Sequence, residues 1–193
     1  MSKGEATRGV ILDEAGQLAR RVGLGGLTIG SLATQTGMSK SGLFAHFGSK
    51  ESLQLQVVEH SAERFTQQVI RPALREPRGE PRLRALFEGW LRWGSAAGGC
   101  PLVAAAFEVD DQPGPLRDQV VSTQRDWIDT LAMVVTGGIT EGQFRPDTDP
   151  RQLTQDIEGV MLAYHFASRL LSDPDAADRA RRALDVLLAA AAA

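Results

Sequence analysis

The sequence predicts an all-α protein, with an N-terminal three-helix, helix-turn-helix domain over residues 1–50 and a C-terminal helical domain over residues 51–193. Apolar residues recur with the period of an α-helix along most of the chain, and no segment shows the alternation of a half-buried strand. A tight link at residues 36–38 separates two short helical segments, as the turn of a helix-turn-helix motif does. The length of 193 residues is ample for a buried core.

The first helix is predicted over residues 7–22, because its apolar residues return at i, i+4, i+7, i+8 and i+11. The glycines of segment 23–26 should end it, since glycine tolerates the left-handed conformation found at helix ends. Thr28 is predicted to cap a second, short helix. The inward residues of that helix are predicted to be Ile29, Leu32 and Ala33.

The segment 38–53 contains two further predicted helix starts, with Ser39 and Ser49 as the capping residues. Leu43 and Phe47 lie four residues apart, so we expect the short third helix to bury the face that they share. Its other side is small and polar with one cation, which suits entry into a DNA groove. That side carries Ser39, Lys40, Ser41, Gly42 and Ala45.

Longer amphipathic segments follow this motif. Helices are predicted over residues 49–71, 83–91, 101–109, 116–138 and 150–171, and from residue 174 onward. Pro72 should end or kink the first of these, and Gly137–Gly138 should end the fourth. Asp149 is predicted to cap the helix that begins at Pro150, with Gln152 completing a capping box.

The charge balance is acidic, with a net charge of −3, which is not typical of a nucleic-acid-binding protein. Residues 1–60 hold six basic and five acidic residues, so few phosphate contacts are expected. The single cysteine excludes an intrachain disulfide and fits a reducing cytoplasm. No signal peptide and no bilayer-spanning run is visible, so we expect a cytoplasmic protein without a membrane partner.

The motif resembles the N-terminal domain of the TetR family of transcriptional regulators. The matching residues are Thr28–Gly37, Met38–Lys40, Leu43, His46–Phe47 and Ser49–Leu53. This resemblance implies operator DNA as a partner and a C-terminal domain that binds a small molecule and forms a homodimer. Members of the family are typically repressors that leave the operator when the small molecule binds, and we expect that function here.

Eight residues form the predicted DNA-binding set: Thr28, Ser39, Lys40, Ser41, Gly42, Phe44, His46 and Lys50. Thr28 can offer its hydroxyl and the next amides to a phosphate, act as a helix cap, or do both. Lys40 can reach a base edge or a phosphate, or remain solvated. Gly42 costs about 1 kcal/mol of helix stability relative to alanine, which close approach to DNA or tight packing against a neighbouring helix would explain.

The resemblance implies that His46 binds phosphate through a ring N–H, and Lys50 lies in the first turn of the next helix, near the same phosphate region. The family usually has tyrosines where this chain has Phe44 and Ala45. A hydroxyl and an aromatic contact are therefore absent. This difference keeps open a second class of function, a helical small-molecule-binding protein with lost or weak DNA binding.

Large side chains of the C-terminal region are candidates to line a ligand pocket. They are Trp90, Trp93, Phe107, Trp127, Met133, Met161, Tyr164, His165 and Phe166. The alternative is that this stripe is plain core. If a pocket exists, we expect a largely apolar ligand, with Tyr164 and His165 as the polar partners.

No catalytic site, metal site or cofactor is predicted, because no group of His, Cys or carboxylate residues has ligand spacing and no nucleophile-base order stands out. We therefore expect the protein not to be an enzyme. Cys100 precedes a predicted helix N-terminus, a position that can activate a thiol. A thiol-sensing regulator remains an alternative to a small buried residue.

The last two helices carry apolar stripes broken by small residues. The small residues are Gly159, Ala163, Ala167, Ala177, Ala180 and Ala183. We predict that these helices from two subunits form a four-helix interface about a two-fold axis, which would require a palindromic operator. The alternative is that they only close the core of the monomer.

Overall fold

The structure, a computed structural model, describes residues 3–193, with side chains described from Thr7 onward. The regular structure of this range is helical, and one isolated β-bridge pairs Phe144 with Ala192. The all-α prediction is therefore confirmed. The helices are α1 (Lys3–Gly26), α2 (Ile29–Thr36), α3 (Lys40–Phe47), α4 (Lys50–Phe65), α5 (Arg71–Ala73), α6 (Glu80–Gly94), α7 (Pro101–Val109), α8 (Pro115–Thr140), α9 (Pro150–Arg169) and α10 (Ala176–Ala191), with a π-helical turn at Thr66–Ile70.

The first of two compact units contains the described residues up to Arg64, together with Ala97–Gln124. In it α1 packs against α2 and α7, and α2 packs against α3. Each buried aliphatic side chain contributes about 1.5–3 kcal/mol to this packing. The core includes Ile11, Ala15, Leu18, Leu32, Leu43, Phe47, Leu53 and Val57.

The second unit contains Phe65–Ala96 and Arg125–Ala193. In it α6 packs against the π-helical turn and α9, and α9 packs against α10. The predicted inward stripes of α6, α8, α9 and α10 supply its core. That core includes Phe65, Leu83, Leu86, Phe87, Trp90, Leu131, Ile157, Met161, Leu184 and Leu188.

The predicted caps of α2, α3, α4 and α9 are confirmed, since each capping side chain accepts from a backbone amide of the following turn. The predicted capping box of α9 is wrong. Asp149 accepts from the amides of Arg151 and Gln152, but the Gln152 side chain donates to Asp156 at 2.9 Å instead of reaching back. The carboxylate of Asp156, one helical turn after Gln152, is the closer partner for the Gln152 side-chain amide.

Of the two helix ends predicted at glycines, the one in segment 23–26 is confirmed and the one at Gly137–Gly138 is wrong. The backbone leaves the helical conformation at Gly23, where φ is 74°, but α1 then continues for one more turn to Gly26. Gly137 and Gly138 do not end α8, which reaches Thr140. Gly138 serves close packing instead, because a Cβ there would lie 2.4 Å from the ring of Phe144.

No helix of the described residues is both long enough and apolar enough to cross a membrane.

Candidate nucleic-acid interface and helical core

Helix α3 is held by its buried side and by its cap. Leu43 is fully buried and Phe47 is 3% exposed, while the amide of Gly42 donates to the Ser39 hydroxyl at 3.1 Å. The opposite side is open to solvent, with Lys40, Ser41, Phe44 and Ala45 exposed. The hydroxyls of Ser39 and Ser41 lie 3.3 Å apart on this side. The structure therefore presents a small, flat surface with one ammonium and one aromatic ring.

Gly42 is constrained by the cap of its own helix. A Cβ at this position would lie 3.1 Å from the Ser39 hydroxyl oxygen, a tight contact. Within the part of the chain that the structure describes, no atom of a neighbouring helix lies within 4 Å of that Cβ position. Packing against another helix therefore does not explain this glycine.

Thr28 and Ser31 form a reciprocal pair at the start of α2. The amide of Ser31 donates to the Thr28 hydroxyl and the amide of Thr28 donates to the Ser31 hydroxyl, each at 2.9 Å. The partner Ser31 was not predicted, because a serine three residues after the cap is a weaker signal than the usual glutamate or glutamine. The cap fixes the position of the first turn of α2, which is the part of the helix that could approach a phosphate.

Lys50 is exposed at the start of α4, and its ammonium donates to the carbonyl oxygen of Gly25 at 2.8 Å. It therefore caps the last turn of α1. An ammonium group has three donors, so this bond leaves capacity for a second acceptor.

The amides of the same turn are satisfied by Glu108, on α7. Its carboxylate accepts from the Leu24 amide at 3.1 Å and from the Gly25 amide at 2.9 Å. The left-handed backbone of Gly23 leaves these amides facing that carboxylate, since a Cβ at Gly23 would lie 2.6 Å from its oxygen. Sequence analysis missed Glu108. The glycine-rich end of α1 signals orphan backbone groups, but not which distant residue satisfies them.

His46, the remaining predicted phosphate contact, is half-buried near the end of α3. Its ring centroid lies 6.1 Å from that of Phe47, whose other neighbours include the guanidinium of Arg8 at 5.8 Å. The ring is thus packed along one side of α3 rather than fully projected into solvent.

Aromatic side chains cluster in the second unit. Phe65 meets Trp93 edge-to-face with ring centroids 5.7 Å apart, and it meets Trp127 in the same way at 5.1 Å. Trp90 and Tyr164 form a third such pair at 5.9 Å, and the Tyr164 hydroxyl lies 3.5 Å from the Leu91 carbonyl oxygen. Four of these rings, Trp90, Trp93, Trp127 and Tyr164, were predicted pocket residues, and Phe65 was not. Such edge-to-face pairs stabilise the packing of the second unit.

Other predicted pocket residues lie elsewhere. Phe107 belongs to the first unit and is 66% exposed, while Met133 and Phe166 are exposed in the second unit. Met161 is fully buried in the second unit.

Glu158 was missed by sequence analysis. The indole N–H of Trp127 donates to its carboxylate, and burial raises the pKa of that carboxyl group above its usual range, with the hydrogen bond opposing the shift. In the described residues, the carboxylate of Glu158 has no ion pair with a lysine, arginine or histidine. Glu158 is half-buried, and a partly desolvated carboxylate without a counter-charge is unfavourable; such groups cluster at functional sites.

Two further polar atoms are buried on the same side of α9. Thr154 is 1% exposed, and in the described part of the chain neither its hydroxyl nor the buried Nδ1 atom of the half-buried His165 has a hydrogen-bond partner. Burial, and then the charge of Arg169, lowers the pKa of His165, which favours the neutral ring. Thr154, Glu158 and His165 are spaced at i, i+4 and i+11, which places them on one face of a helix. This spacing is the sequence signal that could have identified these three residues.

Cys100 precedes α7 and is 2% exposed. The guanidinium of Arg20 donates to the adjacent Gly99 carbonyl. No group of three or more metal-ligating side chains is found in the described residues.

A capped recognition helix behind a tight turn, in an all-helical chain, defines a helix-turn-helix DNA-binding regulator. The family described as "Bacterial regulatory proteins, tetR family" matches residues 11–57, and "Tetracyclin repressor-like, C-terminal domain" matches residues 79–184. The second match covers more than half of the chain. The chain therefore belongs to the TetR family of transcriptional regulators.

Solved structures share this fold. A TetR transcriptional regulator from Chloroflexus aurantiacus J-10-FL is 28% identical, with 98% of this chain and 96% of that chain covered and a TM-score of 0.81. A regulator of the family from Cytophaga hutchinsonii is 21% identical over 100% and 98%, with a TM-score of 0.84. A transcriptional regulator from Saccharomonospora viridis, in complex with choline, is 21% identical over 96% of each chain, with a TM-score of 0.83. Among curated protein sequences, no significant match is found.

Proposed function

We propose that this regulator is a homodimeric repressor that leaves a palindromic operator when a small molecule binds to its C-terminal domain. Residues 1–50 would bind DNA, and residues 51–193 would bind the ligand and form the dimer. The observation that carries this proposal is the solvent-exposed face of α3, on which Lys40 and Phe44 lie. The opposite face of the helix is anchored by the buried side chains of Leu43 and Phe47. A bacterial repressor of this kind acts in the cytoplasm, where the chromosome lies.

Lys40 and Phe44 are the proposed readers of sequence, because both project from the exposed side of α3. An ammonium can donate to the acceptors of guanine, and an apolar ring can contact a thymine methyl group. The proposed positioning contacts to phosphate are Thr28, Ser39, Ser41, Gly42, His46 and Lys50. Of these, Lys50 would bind phosphate while it still caps α1.

Exposed apolar side chains on α9, on α10 and between them support the proposed dimer interface. They are Leu162, Phe166, Leu170, Leu171 and Val186, with exposed fractions from 37% to 70%. Gly159 and Ala163 are also exposed on α9, which would let a second α9 approach closely. Burial of these side chains against a second copy would remove them from water.

The aromatic cluster of the second unit is the proposed ligand site. The Trp127 indole of this cluster donates to Glu158 on α9, and within the described residues the buried polar atoms of Thr154 and His165 on the same helix have no hydrogen-bond partner. The relative from Saccharomonospora viridis is in complex with choline, which supports a small organic ligand for this chain.

Footprinting on the DNA upstream of the protein's own gene tests the proposal. Two protected half-sites with centres about 34–36 Å apart, or somewhat more, are expected. Protection of a single asymmetric half-site by a monomer would contradict the dimer. Failure to protect or enrich any sequence would favour a small-molecule-binding protein without DNA function.

A further inference from the structure

We propose that Glu108, on α7, is a positioning residue for DNA binding. Its carboxylate holds the backbone of Gly25, and the Gly25 carbonyl holds the Lys50 ammonium in place for a phosphate. The inference rests on the proposed function, since Lys50 is proposed there to bind phosphate. Glu108, Gly25 and Lys50 all belong to the first compact unit, so their contacts lie within one part of the fold.

The orientation of Lys50 depends on a backbone carbonyl. The lysine is exposed, and its ammonium donates to the Gly25 carbonyl oxygen at 2.8 Å. Among the described residues, no carboxylate forms an ion pair with Lys50. Because the stem of a lysine is flexible, the position of this carbonyl decides where the ammonium is held.

The position of Gly25 depends in turn on Glu108. The backbone leaves the helical conformation at Gly23, where φ is 74°, and the next two amides donate to the Glu108 carboxylate. The Gly25 amide is one of them, at 2.9 Å. The carboxylate therefore holds the N–H of the same residue whose carbonyl accepts from Lys50.

A separate contact keeps this turn attached to α4. The buried side chain of Gln54 donates to the Leu24 carbonyl oxygen, and Leu24 is itself 4% exposed. Loss of the Glu108 carboxylate would therefore release the Gly25 backbone while the core contact of Leu24 remains. We expect such a change to alter DNA binding in a chain that still folds.

The sign of the effect separates positioning from simple electrostatics. Glu108 is an acid in the same unit as the DNA-binding helices, so removal of its charge would by itself strengthen binding to a polyanion. Positioning predicts the opposite, because a released Lys50 loses its phosphate contact. A purely structural role of Glu108 predicts lower stability without a change in the salt dependence of DNA binding.

The test is a double-mutant cycle on the full chain. Its probe is a duplex that the protein selects from random DNA, and its affinity is measured by fluorescence anisotropy at several salt concentrations. Glu108→Ala should weaken binding at least about fivefold and lower the salt slope by about one, as Lys50→Ala does. In the Lys50→Ala background, Glu108→Ala should change the affinity by less than about twofold.

Two further variants control for charge and for folding. Asp111→Ala removes an exposed acid just after α7, and it should leave the affinity unchanged or slightly stronger. Glu108→Gln loses the same charge as Glu108→Ala but keeps one acceptor oxygen, so it should retain part of the affinity. Urea unfolding identifies conditions in which every variant is folded. If Glu108→Ala does not fold, Glu108→Gln takes its place in the cycle.

Each outcome bears on the inference. Unchanged or stronger DNA binding by folded Glu108→Ala, while Lys50→Ala is weakened, would overturn the inference alone. Equal effects of Glu108→Ala in the wild-type and Lys50→Ala backgrounds would also overturn it, because Glu108 would then not act through Lys50. Unchanged binding by Lys50→Ala, or selection of no DNA by the wild type, would overturn the inference together with the proposed function.

Discussion

Glu108 accepts a hydrogen bond from the backbone amide of Gly25 at 2.9 Å, and so joins two helices that are more than eighty residues apart in sequence. The same carboxylate accepts from the amide of Leu24. Lys50 approaches this turn at the carbonyl of Gly25. The backbone groups at the end of α1 are therefore satisfied by two side chains from other helices: the Glu108 carboxylate accepts from the amides, and the Lys50 ammonium donates to a carbonyl.

Replacement of Glu108 by alanine should lower the free energy of unfolding by about 1.5–3 kcal/mol, the range for a hydrogen bond to a charged group. Two backbone amides would lose their acceptor. Urea unfolding measures this loss, and Asp111→Ala, on an exposed loop, is the matched control. A loss below about 0.5 kcal/mol would show that solvent replaces the carboxylate without cost.

Two adjacent glycines of α8 should respond in opposite ways to alanine. Gly138→Ala should destabilise the protein by about 1–3 kcal/mol, because its Cβ would collide with the Phe144 ring. Gly137→Ala should stabilise it by about 0.5–1 kcal/mol, since no described atom outside its own helix lies within 4 Å and alanine favours the helix. Thermal unfolding of both variants measures the difference. Equal effects would show that α8 is frayed at this point.

Lys40 and Lys50 should differ in their effects on DNA binding. Lys50→Ala should weaken binding to all sequences alike, and it should reduce the salt slope by about one. Lys40→Ala should change the preferred sequence, because this side chain lies on the exposed face of α3. Mobility shifts at two salt concentrations, on several DNA sequences, separate these effects. Unchanged affinity of both variants would refute the contact assignment.

Phe166→Glu should separate the subunits without unfolding them, because this ring is 54% exposed on α9 and a buried carboxylate without a partner opposes association. Sedimentation velocity measures the oligomeric state. Leu74→Glu, at another exposed apolar position, should leave the dimer intact. A dimeric Phe166→Glu variant would place the interface elsewhere.

Glu158 should make stability fall as pH rises. Burial raises its pKa in the folded protein above the usual value near 4.5, so the folded state holds this proton more tightly than the unfolded state. Its stabilising contribution is present below about pH 4.5 and is lost as pH rises through the raised pKa. Glu158→Gln should therefore match the wild type near pH 4.5 and be more stable at pH 8. Urea unfolding at both pH values measures this, and a pH-independent difference would contradict it.

Local signals predicted helices α2 and α3 well. The caps Thr28 and Ser39, the buried pair Leu43 and Phe47, and the all-helical class follow from spacing and side-chain chemistry alone. Contacts between distant segments did not follow, because a sequence does not show which helices meet. Glu108 and Glu158 were missed for this reason. Gly138 was interpreted as a helix end, since its conformational freedom is visible in the sequence and its close neighbour Phe144 is not.

Selection of binding sites from random double-stranded DNA tests the central claim most directly. The account predicts enrichment of an inverted repeat whose half-site centres lie about one helical turn apart or somewhat more, with Lys40→Ala changing the bases enriched within each half. Enrichment of a single asymmetric site, or of no sequence at all, would contradict a two-fold symmetric regulator that reads DNA through α3.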